Sequence, residues 1–190
     1  MRKAMEKTKA SGTASGMPRV LIAVSRYNAS ITDAMLEGAI EAYTDRLGAG
    51  ESLEIVGVPG AFELTAAARA AAASGRFDGV VALGCIIRGE TPHDQYIAHA
   101  VAQGLAGVTV SSGMPVAFGV LTVNIAAQAR ARAGGKKGNK GREAMEALLD
   151  TIEVVRVIET GEDSDEIAAR GRVIPDKAAG RVQRGAKGNR

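Results

Sequence analysis

The chain has 190 residues, enough for one domain with a buried core. It carries a formal charge of +3, one cysteine, no tryptophan and few aromatics. That composition excludes an intrachain disulfide framework. No apolar run approaches the ~20 residues of a membrane span and the N-terminus lacks a signal-peptide core, so a cytoplasmic protein is expected.

The charge is uneven along the chain. Residues 1–19 hold five bases and one acid, 162–166 hold four acids, and 167–190 hold seven bases and one acid. Of the 24 bases and 21 acids, twelve and fifteen remain in 20–161, a net of −3. Residues 1–18 and 161–190 are expected to be flexible tails flanking one domain over 19–160. Basic ends can touch nucleic acid. No aromatic side chain interleaves these charges to stack bases, so solvated tails are the favoured reading.

From Arg19 to Val24 the chain is apolar and β-branched, which predicts a first buried strand. Ser25-Arg26-Tyr27-Asn28 reads as a loop. Ile31, Met35, Gly38, Ala42 and Leu47 then form a helical stripe that Gly48 ends. Leu53 to Val58 is a second strand closed by Pro59-Gly60, and Ala61 to Ser74 an alanine-rich helix stopped by Gly75.

Val80 to Ile87 predicts the third strand and Pro92 to about Ser112 the third helix. Between them, Thr91 suits the N-cap and Pro92 the first helical position. A helix N-terminus can receive an anion such as phosphate, with His93 in its first turn as a base, although a plain cap with a surface histidine is the commoner arrangement. Pro115 to Thr122 is a fourth strand and Ile125 to Ala133 a short helix. Gly134 to Gly141 reads as a glycine- and lysine-rich loop. Arg142 to about Glu159 is a last helix, with Met145, Leu148, Leu149, Ile152 and Val155 on its apolar side.

Four alternations of strand and helix, with continuous apolar strands, predict an α/β protein: a four-stranded parallel sheet buried on both faces by helices. Ligands of such sheets bind beyond the carboxyl ends of the strands. The loops there carry Tyr27, Phe62, Glu63, Thr91 and His93. Tyr27 and Phe62 can stack on a planar heterocycle. Phe118 lies inside the fourth strand, where core packing is favoured. The Gly134–Gly141 stretch fails the P-loop spacing. His93 and His99 are six apart and cannot share a metal on one helix face, so no metal is expected. Cys85 reads as a small buried hydrophobe.

Five segments, Ser25-Arg26-Tyr27-Asn28, Val58-Pro59-Gly60-Ala61-Phe62-Glu63-Leu64, Gly84 to His93, Pro115-Val116-Ala117-Phe118-Gly119 and Gly138-Asn139-Lys140-Gly141, together resemble the lumazine synthase family over about 19–160. The resemblance implies a flavodoxin-like three-layer sandwich. It also implies condensation of 5-amino-6-(D-ribitylamino)uracil with 3,4-dihydroxy-2-butanone 4-phosphate, in riboflavin biosynthesis, without cofactor or metal. By resemblance, Tyr27 and Asn28 meet the pyrimidine. Ala61, Phe62 and Glu63 hold the ribityl chain and ring, and Cys85, Ile86 and Ile87 contact the pyrimidine through backbone. Glu90, Thr91 and Arg132 bind phosphate, His93 transfers protons, and Phe118 and Lys140 complete a pocket between subunits. The family's pentamers, or shells of twelve pentamers, imply a homo-oligomer, and a 60-subunit shell is expected.

Two departures bear on this. After His93 the family has an aromatic and then an acid, where this chain has Asp94 and Gln95. Val123-Asn124-Ile125-Ala126-Ala127 is more apolar than the family pattern. They motivate a second reading, a shell-forming or flavin-binding relative with little catalysis. The basic tails motivate a third, a nucleic-acid-associated assembly.

Overall fold

The computed structural model describes residues 16–48 and 52–161. The expected tails beyond them, with any nucleic-acid contact, lie outside the described residues. The four apolar runs form β1 (Val20–Ser25), β2 (Leu53–Val58), β3 (Gly79–Ile87) and β4 (Val116–Val123). Helices α1 (Ala29–Leu47), α2 (Leu64–Ser74), α3 (His93–Ser112) and α4 (Ala126–Ala131) follow them in turn. A hairpin of β5 (Ala133–Gly135) and β6 (Gly138–Asn139) then leads into α5 (Lys140–Thr160).

The main sheet is parallel throughout, in the order β2-β1-β3-β4. Strand periodicity divides its side chains between two cores. Ile22, Val24, Val81 and Leu83 pack with Met35 and Tyr43 of α1 and Met145 and Leu148 of α5. Leu21, Ala23 and Ala82 pack with Leu64 and Ala68 of α2 and Val101 and Leu105 of α3. Each fully buried Leu or Met contributes about 1.5–3 kcal/mol. The result is the flavodoxin-like three-layer α/β sandwich expected. No helix among the described residues is long and apolar enough to cross a membrane.

Burial on both faces holds for β1 and β3, which are central, and fails at the edges. Ile55 and Val56 of β2 are 47% and 38% exposed, and Phe118 of β4 is 46% exposed. An edge strand has a neighbour on one side only, so the flanking helices do not cover it fully.

Three local expectations also shift. The Gly134–Gly141 stretch is a hairpin, because Gly134 and Gly138 adopt φ of 98° and 78°, a region closed to most side chains. Asn139 caps α5, so that helix starts at Lys140, before Arg142. Pro92, not Thr91, is the N-cap of α3: its carbonyl accepts from the N–H groups of Gln95 (3.0 Å) and Tyr96 (3.4 Å).

Candidate active site

Strand order reverses direction between β1 and β3: the chain moves outward from β1 to β2, then crosses to β3 and β4. A crevice opens at such a switch point, outside the carboxyl ends of the strands. Asn28, just beyond β1, spans it. Its Nδ2 donates to the carbonyl oxygen of Cys85 on β3 at 2.9 Å. Asn28 is also the one non-glycine residue with positive φ (62°) among the described residues. Asparagine tolerates that conformation better than most residues. Its own carbonyl accepts from Ile31 and Thr32 and so opens α1. The buried Thr32 hydroxyl donates to Ser25 O at 2.8 Å, fixing the same turn.

The neighbouring loops are tied to this one. Arg26 N–H donates to Val58 O at 2.8 Å, joining the ends of β1 and β2. A Cβ at Gly84 would stand 3.1 Å from Leu64 and 3.4 Å from Ala61, so glycine there lets the β2–α2 loop settle on β3. Ala61 is buried and Glu63 half-buried. Tyr27 and Phe62 are 71% and 59% exposed, which leaves their ring faces open for stacking on a planar group.

Cys85 and Ile86 bury their side chains in opposite cores, while Ile87 is half-buried. The side chains of Cys85 and Ile86 are therefore closed to a ligand, and their backbone is what they can offer one. Burial pushes the Cys85 thiol up to about 11, which removes it as a nucleophile.

Beyond β3, Arg88, Glu90, Thr91, Asp94 and Gln95 line a hollow of about 150 Å³ at the N-terminus of α3. Glu90 and Thr91 are exposed, and so is His93, which begins the helix. The first-turn N–H groups lack intrahelical acceptors and carry partial positive charge. Asp94 and Gln95, where the chain departs from its resemblance, both face this hollow. Asp94 Oδ1 is buried there without a hydrogen-bond partner among the described residues. Gln95 O is bonded to His99 Nδ1 at 2.7 Å.

Phe118, Arg132 and Lys140 lie elsewhere. They line a groove of about 450 Å³ between β4 and α5, together with Thr122, Val123 and Glu143. Phe118 pairs with Ala82, whereas Val123 at the carboxyl end of β4 pairs with Ile87. Five residues at ~3.3 Å each put Phe118 about 16 Å from that end. The sequence-predicted site thus falls into a carboxyl-edge group and a groove group within one chain. The apolar 123–127 stretch does not loosen the groove. Gln128 Oε1 accepts from Asn124 N–H at 2.9 Å, and Gln128 O accepts from Arg132 Nη1 at 3.1 Å.

Sequence reasoning gave no role to Gln128, to Glu143, which pairs with Lys140 Nζ, or to Asn139. For Gln128 and Glu143 no local signal stands out. Asn139 had one: an asparagine immediately before a helical pattern is an N-cap signature.

A parallel sheet between two helical layers, with exposed rings and a helix N-terminus at its carboxyl edge, defines an α/β protein of the class whose ligands bind beyond the strand ends. The family model for 6,7-dimethyl-8-ribityllumazine synthase matches residues 17–156. The 6,7-dimethyl-8-ribityllumazine synthase of Edwardsiella ictaluri (strain 93-146) is 48% identical over 134 residues, covering 70% of this chain and 85% of that relative. The chain belongs to the 6,7-dimethyl-8-ribityllumazine synthase family.

Proposed function

We propose that this enzyme of riboflavin biosynthesis condenses 5-amino-6-(D-ribitylamino)uracil with 3,4-dihydroxy-2-butanone 4-phosphate, giving 6,7-dimethyl-8-ribityllumazine, phosphate and water. Family membership supports the reaction. The observation that carries its siting is the Asn28–Cys85 bond across the switch point, with exposed Tyr27 and Phe62 on the flanking loops.

In this reading Tyr27 and Phe62 stack on the pyrimidine, Asn28 and the backbone of Cys85 to Ile87 meet its edge, and Ala61 and Glu63 border the ribityl chain. Glu90, Thr91, the N-terminus of α3 and the Arg132 guanidinium receive the phosphate. The amine attacks the ketone and water is lost to give an imine. Phosphate then leaves, the enol so formed becomes a ketone, and the second nitrogen closes the ring onto that carbonyl with loss of a second water. Each step moves a proton, which His93 takes or returns. Overall no electrons are exchanged with an outside partner, so the chemistry calls for no redox cofactor. Holding two reactants together supplies much of the acceleration.

Phe118 and Lys140 serve the site of a neighbouring copy. Phe118 stands on the exposed β4 edge, ~16 Å from the strand's carboxyl end, and Lys140 lines the same groove, which supports that division. The same reading makes the assembly a pentamer, built into a 60-subunit shell in the cytoplasm. Mixing the two substrates with the protein tests the reaction. Fluorescent lumazine and free phosphate are expected together, and flavin binding with no lumazine would overturn it. Electron microscopy of particle diameter tests the shell.

A further inference from the structure

The reading above leaves Asn139 idle, yet its side chain is bonded at three points. Nδ2 donates to Ala34 O of α1 at 2.8 Å. Oδ1 accepts from the N–H groups of Gly141 at 2.8 Å and Arg142 at 3.3 Å. Exchanging the amide nitrogen and oxygen would set donor against donors and acceptor against acceptor, so the network admits one orientation. Space is equally restrictive. A Cβ at Gly38 would stand 2.3 Å from Asn139 Nδ2, and one at Gly141 would stand 1.8 Å from Met35 O. Two glycines thus bring the α1 backbone against the start of α5, and the Asn139 amide fills the seam.

The clip sits between the two groove cations. Lys140 is the next residue, and its N–H donates to Arg132 O at 2.8 Å. Asn139 itself pairs with Ala133, the residue after Arg132. Movement of Asn139 therefore carries both cations with it. We propose that Asn139 is a positioning residue: it locks the hairpin and the first turn of α5 onto α1, so that Arg132 and Lys140 hold fixed places at the groove for a phosphorylated ketone. The catalytic half of this rests on the proposed reaction; the clip itself does not.

Two full-length variants separate the parts. Asn139→Ser keeps a capping oxygen but is too short to reach Ala34 O. Asn139→Asp keeps length and cap but turns an acceptor onto that carbonyl. The first measurement is amide hydrogen exchange at Lys140, whose N–H reports the bond to Arg132. Exchange ~10-fold faster in both variants, with Gly141 less affected, is expected. Unchanged Lys140 exchange overturns the clip, whether or not the chain is an enzyme.

The second measurement is a double-mutant cycle on kcat/KM for lumazine formation, using Asn139→Ser and Lys140→Ala. Asn139→Ser alone is expected to lower kcat/KM ~10-fold. In the Lys140→Ala background it should cost clearly less than in the parent, because one of the two cations it positions is gone. Losses that multiply, or an Asn139→Ser enzyme as active as the parent, overturn positioning. A parent chain that makes no lumazine overturns the proposed reaction and the catalytic half, and leaves the exchange result to decide the clip.

Discussion

The side-chain amide of Asn28 and the carbonyl oxygen of Cys85 stand 2.9 Å apart, joining the first and third strands at the point where the sheet changes winding direction. Removing that amide has two separable costs. Asn28→Gly loses the bond, about 1 kcal/mol, but suits the left-handed backbone. Asn28→Ala loses the bond and adds about 1–2 kcal/mol of strain at φ 62°. Urea midpoints should therefore rank parent, Gly, Ala, and both variants should turn over more slowly because the crevice is no longer held.

His93→Ala should lower kcat by ~10²-fold or more if proton transfer limits turnover. Steady-state assays with both substrates measure this. An unchanged kcat would remove His93 from the mechanism.

Arg132→Ala should act mainly through the phosphorylated ketone. A charge-assisted hydrogen bond of about 1.5–3 kcal/mol corresponds to a ~10- to 100-fold rise in its KM. The KM for the pyrimidine should move little. Arg132→Lys should restore the charge but not paired hydrogen bonds, so partial recovery is expected.

If the carboxyl-edge and groove groups meet between copies, two inactive variants should rescue each other. Dissociating His93→Ala and Lys140→Ala proteins, mixing them equally and reassembling them leaves about a quarter of the sites with both residues intact. Activity appearing only on mixing measures this. No recovery in assemblies shown to be mixed would place both residues in one subunit's site.

Cys85 is 2% exposed, and burial pushes its thiol up from the usual 9.0 to about 11. The protonated thiol is the form the fold accommodates. Its contribution to stability is complete below about pH 9, where both states are protonated. It is lost as pH rises toward 11, where the unfolded chain ionises first. Cys85→Ala should flatten that part of the stability profile. A thiol reagent at pH 8 should label the parent only in denaturant, which a colorimetric assay reads directly.

Much of this molecule is written in local pattern. Apolar runs ending at Val24, Val58, Ile87 and Thr122 announce strands, and the stripe from Ile31 to Leu47 announces α1, because periodicity and terminal glycines act over a few residues. Exposed rings at Tyr27 and Phe62 follow from loops that must leave a buried sheet. Tertiary structure alone decided what depends on distant pairing. Strand order placed β2 and β4 at the edges, so Phe118 stands in an open groove instead of a core. The backbone crossing at Gly38 and Gly141 sent the Asn139 amide to Ala34, 105 residues away in the chain. Neither is foreseeable from neighbours in sequence, because a strand's partners and a helix's crossing point are chosen by the packing of the whole sheet.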